Sequence, residues 1–167
     1  DNILANKMFY VATDAADTNV TDDEAKQIKI QYLELITKGT DKNGRKINMG
    51  VSDKAKTYKR IKEMLKEAKK SESFLDYAEA NTDSSTSEAI IGKDTKLLDK
   101  EAIDAAFSLK KGKMSNVIGG KTGYYIIYCV NDNDEDATYA RKEEIINERQ
   151  TKMFKEKYAE WLSESKV

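Results

Sequence analysis

Apolar and polar residues alternate from Ile28 to Ile36, with Ile28, Ile30 and Tyr32 on one side and Lys29, Gln31 and Leu33 on the other. Successive side chains of an extended strand point to opposite faces, so this stretch predicts a half-buried β-strand. Just before it, Thr21-Asp22-Asp23-Glu24 has the form of a capping box. The Thr21 hydroxyl can accept from a first-turn N–H while Glu24 reaches back, and a short helical turn through Lys26 is expected. Asn43-Gly44 marks a tight turn, because both residues tolerate positive φ, and Ile47 to Val51 reads as a short extended return.

The spacing then changes. Ala55, Tyr58, Ile61, Leu65 and Ala68 recur every three or four residues on a Lys- and Glu-rich background, which predicts an amphipathic helix capped by Ser52 or Asp53. Ser71 or Ser73 caps a shorter helix with Phe74, Tyr77 and Ala78 inward, and Asn81 to Ser87 is a polar loop. Asp99 opens a third helix with Ile103, Ala106 and Phe107 as its apolar face, and Gly112 closes that region. Val117-Ile118, the turn Gly119-Gly120 and Tyr124 to Val130 form a hairpin. Its second strand has almost no polar interruption, so it is expected at the centre of a sheet, covered on both faces. A long helix from about Thr138 to Ser163 carries the stripe Ile145, Ile146, Met153, Phe154, Tyr158, Trp161 and Leu162 and needs a partner surface. Upstream of all this, Met8-Phe9-Tyr10-Val11 is a short apolar run in an otherwise polar stretch, read as the end of an element plus a linker.

Composition narrows the function. Net charge is -1, so there is no basic excess to neutralise a phosphate backbone and nucleic acid is not expected as a partner. No stretch approaches the roughly 20 apolar residues that span a bilayer. The chain has no histidine, which removes the usual proton shuttle, the histidine-activated nucleophiles and the commonest transition-metal ligand. Cys129 is the single cysteine, so neither an internal disulfide nor a cysteine-rich zinc site can form, and it is expected to be a buried, inert thiol. With no proline, the chain's own folding has no slow prolyl step. Asp132 to Asp136 resembles the start of a calcium loop, with Glu143 at the twelfth position, but Ala137 stands where the sharp turn needs glycine. A solvated acidic linker is expected there, and no metal or cofactor.

Ala105-Ala106-Phe107-Ser108-Leu109-Lys110-Lys111-Gly112-Lys113-Met114-Ser115-Asn116-Val117-Ile118, followed by Gly123-Tyr124-Tyr125-Ile126-Ile127, closely resembles the signature of parvulin-type (PpiC-type) peptidyl-prolyl cis-trans isomerases. The resemblance covers about Lys26 to Asn131. The capped entry and the tail helix ending in Tyr158, Trp161 and Leu162 look similar to the PrsA-like secretion foldases of Gram-positive bacteria. It implies an α+β fold: a parvulin-like four-stranded antiparallel sheet surrounded by helices, with a long C-terminal helix. The implied division is an N-terminal segment over 1–26, a parvulin-like domain over 27–133, and a C-terminal helix over 134–167 that packs on the N-terminal segment or on the domain.

Rotation about a peptide C–N bond faces a barrier of roughly 18–20 kcal/mol from amide resonance. The family meets it with two histidines, a Cys or Asp, and an apolar pocket for the proline ring. Carried onto this chain by resemblance, Tyr32 and Tyr125 stand where the two histidines are expected, and Asp83 matches the Cys/Asp position. The family's glycine-rich run after it is reduced to Glu88-Ala89-Ile90-Ile91-Gly92, Leu98 and Ala102 fall at the pocket Met and Phe, and Phe107 belongs to the same wall. Two His-to-Tyr exchanges in one hydrogen-bonded pair read as a coupled change. Tyrosine keeps a planar ring and a hydroxyl but is neutral, with a pKa near about 10. The expectation is therefore an extracytoplasmic folding factor that binds extended or unfolded segments of secreted proteins with weak or no isomerase activity. Its alternative is an active isomerase with tyrosines in place of the histidines. The resemblance further implies a cell-surface chaperone whose parent protein is a lipoprotein, anchored outside this chain. A scaffold that dimerises through the tail helix is a third role.

Overall fold

The computed structural model describes residues 19–165, so the Met8 to Val11 run lies outside the described residues. The described chain divides into two compact units, one from Gln27 to Asp134 and one joining the residues up to Lys26 with those from Glu135 onward.

The larger unit is built on a four-stranded antiparallel sheet. Its strands are β1 (Ile28–Ile36), β4 (Glu88–Ile91), β5 (Ile118–Gly119) and β6 (Gly123–Asn131), in the order β4-β1-β6-β5. A separate hairpin joins β2 (Lys38–Thr40) and β3 (Lys46–Asn48). Gly44 holds φ +81° at its tip, and the Asp41 carboxylate accepts from the N–H groups of Asn43 and Arg45 and from Arg45 Nε. The central, doubly covered hairpin strand appears as its residues predict, whereas the alternating strand, expected to be half-buried, is covered on both faces because Leu33 and Leu35 are buried as well.

The period-2 pattern of β1 separates two cores. Ile28, Ile30 and Tyr32 face Tyr125 and Ile127 of β6 and the buried side of helix α4 (Lys100–Ser108), where Ala102, Ile103 and Ala106 pack. Leu33 and Leu35, with Ile126, face α2 (Val51–Lys70) and α3 (Phe74–Asn81). Each of these fully buried aliphatic side chains is worth about 1.5–3 kcal/mol of transfer free energy.

Local details depart from the sequence reading. The extended return ends at Asn48, and α2 starts at Val51 behind Gly50, with no side-chain cap; Ser52 and Asp53 are already inside its first turn. The buried seam of α2 is Ile61, Met64 and Ala68, while Ala55 is exposed and Tyr58 is 42% exposed, its ring tilted against Tyr124 at 5.4 Å. Burial tracks the part of the helix that crosses the sheet, which spacing alone does not locate. Glu88 to Ile91, read only as a reduced glycine-rich run, is the edge strand β4 paired with β1 from Gln31 to Ile28.

In the other unit, α1 (Asp22–Ala25) carries the full capping box, with Glu24 N donating to Thr21 Oγ1 and Thr21 N to Glu24 Oε2. The tail helix α5 (Glu135–Ser165) begins three residues earlier than its apolar stripe indicates, because Glu135 and Asp136 sit favourably at a helix N-terminus. Lys142 pairs with Asp22, and Arg149 with Glu24 at 2.8 Å, so α1 lies along α5. The Arg149 contact and the Thr21 backbone bond both hold the Glu24 carboxyl below its usual range, the backbone bond more strongly. Along α5 Phe154 stacks on Tyr158 and Trp161 lies tilted against Tyr158, with ring centroids 5.8 and 6.0 Å apart.

Candidate functional site

The carboxyl end of β1 is stitched along one edge by the loop that follows α3. Tyr32 N donates to Ser87 O, Glu34 N to Thr82 Oγ1, and Asp83 N to Glu34 O. Asp83 turns its carboxylate back to β1, where Oδ2 accepts from Ile36 N at 3.0 Å, and its carbonyl accepts from Lys42 N. These bonds hold open a cavity of about 430 Å³ between β1, the β2–β3 hairpin and that loop, lined by Glu34, Ile36, Lys38, Asp83, Ser84 and Thr122 among others.

Glu34 occupies the floor. It lies directly across the ladder from Tyr125, and the Tyr125 hydroxyl donates to Glu34 Oε1 at 3.0 Å. The same hydroxyl lies 3.4 Å from Thr122 Oγ1 and accepts from Asp99 N. Asp99, at the start of α4, spends its carboxylate on Thr122, accepting from both its N–H and its hydroxyl at 2.9 Å, instead of capping the helix. Gly120 makes this fit, since a Cβ there would lie 2.3 Å from Asp99 Oδ2. Burial pushes the Glu34 carboxyl up to about 7. The Tyr125 bond opposes that shift, and the charges of Asp99 and Asp83 add to it. Burial, reinforced by the charges of Glu34 and Asp99, also raises the Tyr125 phenol above its ordinary value.

Asp99→Ala is expected to cost about 1.5–3 kcal/mol, the worth of hydrogen bonds to a charged acceptor, and to lower the Glu34 pKa by removing a neighbouring charge. Urea unfolding and carboxyl NMR check both effects. A variant with unchanged midpoint and unchanged Glu34 titration would show that the Thr122 clasp holds nothing in place.

The residues named from sequence are brought together only in part. Tyr32, Tyr125, Leu98 and Ala102 share one buried cluster, with Phe107 packed partly exposed against it. Tyr32 and Tyr125 are 0% and 1% exposed, and they are not bonded to each other. The Tyr32 hydroxyl pairs with Thr86, whereas Tyr125 turns to Glu34, Thr122 and Asp99. The expected coupled pair is thus two separate anchors, because each phenol hydroxyl is taken by different partners. Leu98, just ahead of α4, and Ala102, on its inner face, are buried, and Asp83 is the one residue of the six that lines the cavity. Glu34 was missed, although a signal existed: the period that buries Ile28, Ile30 and Tyr32 places a carboxyl next on the same face. Among the described residues no cluster of side chains could hold a metal ion, and Asp132 is occupied as acceptor from Lys111 N.

A family model described as the PPIC-type PPIase domain (rotamase) matches residues 42–131, more than half of the chain. No curated protein matches. Among solved structures, the foldase protein PrsA from Streptococcus pneumoniae is 17% identical, with a TM-score of 0.53 over 96% of this chain and 60% of that one. The peptidyl-prolyl isomerase ESS1 from Candida albicans is 18% identical, with a TM-score of 0.54 over 65% of this chain and 64% of that one. The foldase protein PrsA from Lactococcus lactis is 17% identical, with a TM-score of 0.51 over 98% of this chain and 60% of that one. At these identities the likeness is one of fold, and this chain spans less than two thirds of the length of these proteins.

Proposed function

The chain belongs to the PPIC-type peptidyl-prolyl isomerase (rotamase) family, and from that premise we propose that it works as an extracytoplasmic folding factor, holding extended segments of secreted proteins in the cavity beside β1. Its isomerase activity is weak or absent. The observation that carries this reading is the burial of both tyrosines with their hydroxyls engaged inside the protein, while the cavity beside them stays open. A group that serves the twisted amide must reach it and bind it better than the planar one. The Tyr32 hydroxyl is already taken by Thr86, and the positions matched to the proline pocket, Leu98 and Ala102, are filled by packing. The likeness to PrsA foldases supports placing the protein at the cell surface, with a lipid anchor outside this chain.

The second reading, an active isomerase, rests on Asp83, which lines the cavity, and on Tyr125, which is linked to the cavity-lining Glu34 by its hydroxyl. Cis/trans exchange of short X-Pro peptides, followed by NMR with and without the protein, decides between the two. The expected result is unchanged exchange with saturable shifts at amides lining the cavity. Faster exchange that is lost on Asp83→Ala would replace this reading with the active enzyme. Neither shifts nor faster exchange would remove the cavity from consideration as a binding site.

A further inference from the structure

Glu34 has an unusual setting for a carboxyl group. It is half-buried on a central strand, with no lysine or arginine of the described residues paired to it. Oε1 accepts from Tyr125 at 3.0 Å, Oε2 makes no hydrogen bond among the described residues, and Glu34 lines the cavity. The groups that face it come from every neighbouring element. Tyr125 is opposite on β6, Asp99 stands ahead of α4, and Asp83 lies in the loop after α3. Lys38, Lys42 and Asp41 line the same cavity from the hairpin side. The two lysines are exposed, and Asp41 is engaged with Arg45 at 3.1 Å. A carboxylate near two others and without a cation is disfavoured, whereas a neutral acid in the same place is not. A neutral acid also differs in what it offers: with Oε1 already accepting, the second oxygen carries a proton and becomes a donor.

We infer that Glu34 is a peptide-recognition residue which, as the neutral acid, donates a hydrogen bond from Oε2 to a backbone carbonyl oxygen of an extended segment lying in the cavity. The ligand class is main chain, so the contact is indifferent to client sequence, which suits a factor that handles many segments. Tyr125 is the positioning partner. By donating to Oε1 it orients the carboxyl group and leaves Oε2 for the bound segment. The raised pKa of Glu34, about 7, places the change from donor to repelling acceptor near neutrality. Occupancy is therefore high below that point and falls above it.

This inference rests on the reading of the cavity as a peptide site, and its test separates the two. The probe is a blocked, uncharged peptide of alanine, proline and phenylalanine, titrated into the intact chain by calorimetry at mildly acid and mildly alkaline pH. One net hydrogen bond of about 1–1.5 kcal/mol corresponds to about ten-fold in Kd, so the wild type is expected to bind about ten-fold more weakly on the alkaline side. Glu34→Gln, which keeps an N–H donor at every pH, is expected to bind with acid-side affinity throughout. Carboxyl NMR of Glu34 in the wild type gives a readout free of any variant: the bound peptide should raise its pKa, because only the protonated form makes the contact. Binding with the same pH profile in wild type and Glu34→Gln, or a Glu34 titration unmoved by peptide, would overturn the inference and leave the peptide site standing. No binding of the probe at either pH would overturn the peptide site itself, and this inference with it.

Discussion

Gly123→Ala should lower the stability of the larger unit by about 2–3 kcal/mol, at the upper end of what overpacking a tight site costs. Gly123 opens β6 opposite Ile36, and a Cβ built there would sit 2.6 Å from the Leu35 carbonyl oxygen. A flexible side chain could swing away from such a clash, but a backbone carbonyl inside a central ladder cannot move without its hydrogen bonds. The same Cβ would lie 3.4 Å from Glu34 Oε1, so the strands would part where Glu34 meets Tyr125. The loss should appear as a lower urea midpoint with an unchanged slope, together with loss of protection at the amides of Glu34 and Tyr125. A midpoint within error of the wild type would show that the β1–β6 contact yields there, and that the glycine of the parvulin-like signature is not needed for close strand approach in this chain.

The second expected result concerns pH. In the unfolded chain Glu34 titrates near its ordinary value of 4.5, and in the folded chain near 7. Between those values the folded state holds a proton that the unfolded state has released. Stability should therefore be highest, as far as Glu34 is concerned, below the unfolded value, fall as pH rises through the window, and level off above the folded value. A shift of that size in a fully enclosed group would be worth about 3 kcal/mol; solvent reaches part of Glu34, so about 2 kcal/mol is expected. Glu34→Gln, neutral throughout, should abolish the slope and exceed the wild type in stability at mildly alkaline pH. Asp41 acts in the opposite sense and in a separate window. Its carboxyl is held below its ordinary value, chiefly by the Arg45 backbone N–H, so its contribution is present above the unfolded pKa and lost on acidification. Urea midpoints for both proteins, from below the unfolded value to above the folded one, check the prediction. Parallel curves would mean that Glu34 is ionised in the fold at neutral pH and that neither its neighbours nor its burial matter.

Much of the architecture was legible in the order of residues because it is carried by local rules. The period of two from Ile28 to Ile36, the capping box at Thr21, the positive-φ turn at Gly44 and the helix entry at Asp99 each involve residues within a few positions of one another. The parvulin-like signature from Ala105 to Ile127 works the same way, since a helix exit and a hairpin are short-range events. Membership of the rotamase family agrees with it. The tertiary structure alone decided the chemistry of the cavity. Glu34 meets Tyr125 across 91 positions, Asp99 meets Thr122 across 23, and Tyr32 meets Thr86 across 54. Pattern assigns a residue to a face, but it does not say which residue of another strand will stand opposite, nor which hydroxyl a buried tyrosine will reach. Ladder register and the path of the loop after α3 settle those questions. They turned two matched tyrosines into separate anchors and left a glutamate that continues the buried face of β1 as the polar group at the floor of the cavity.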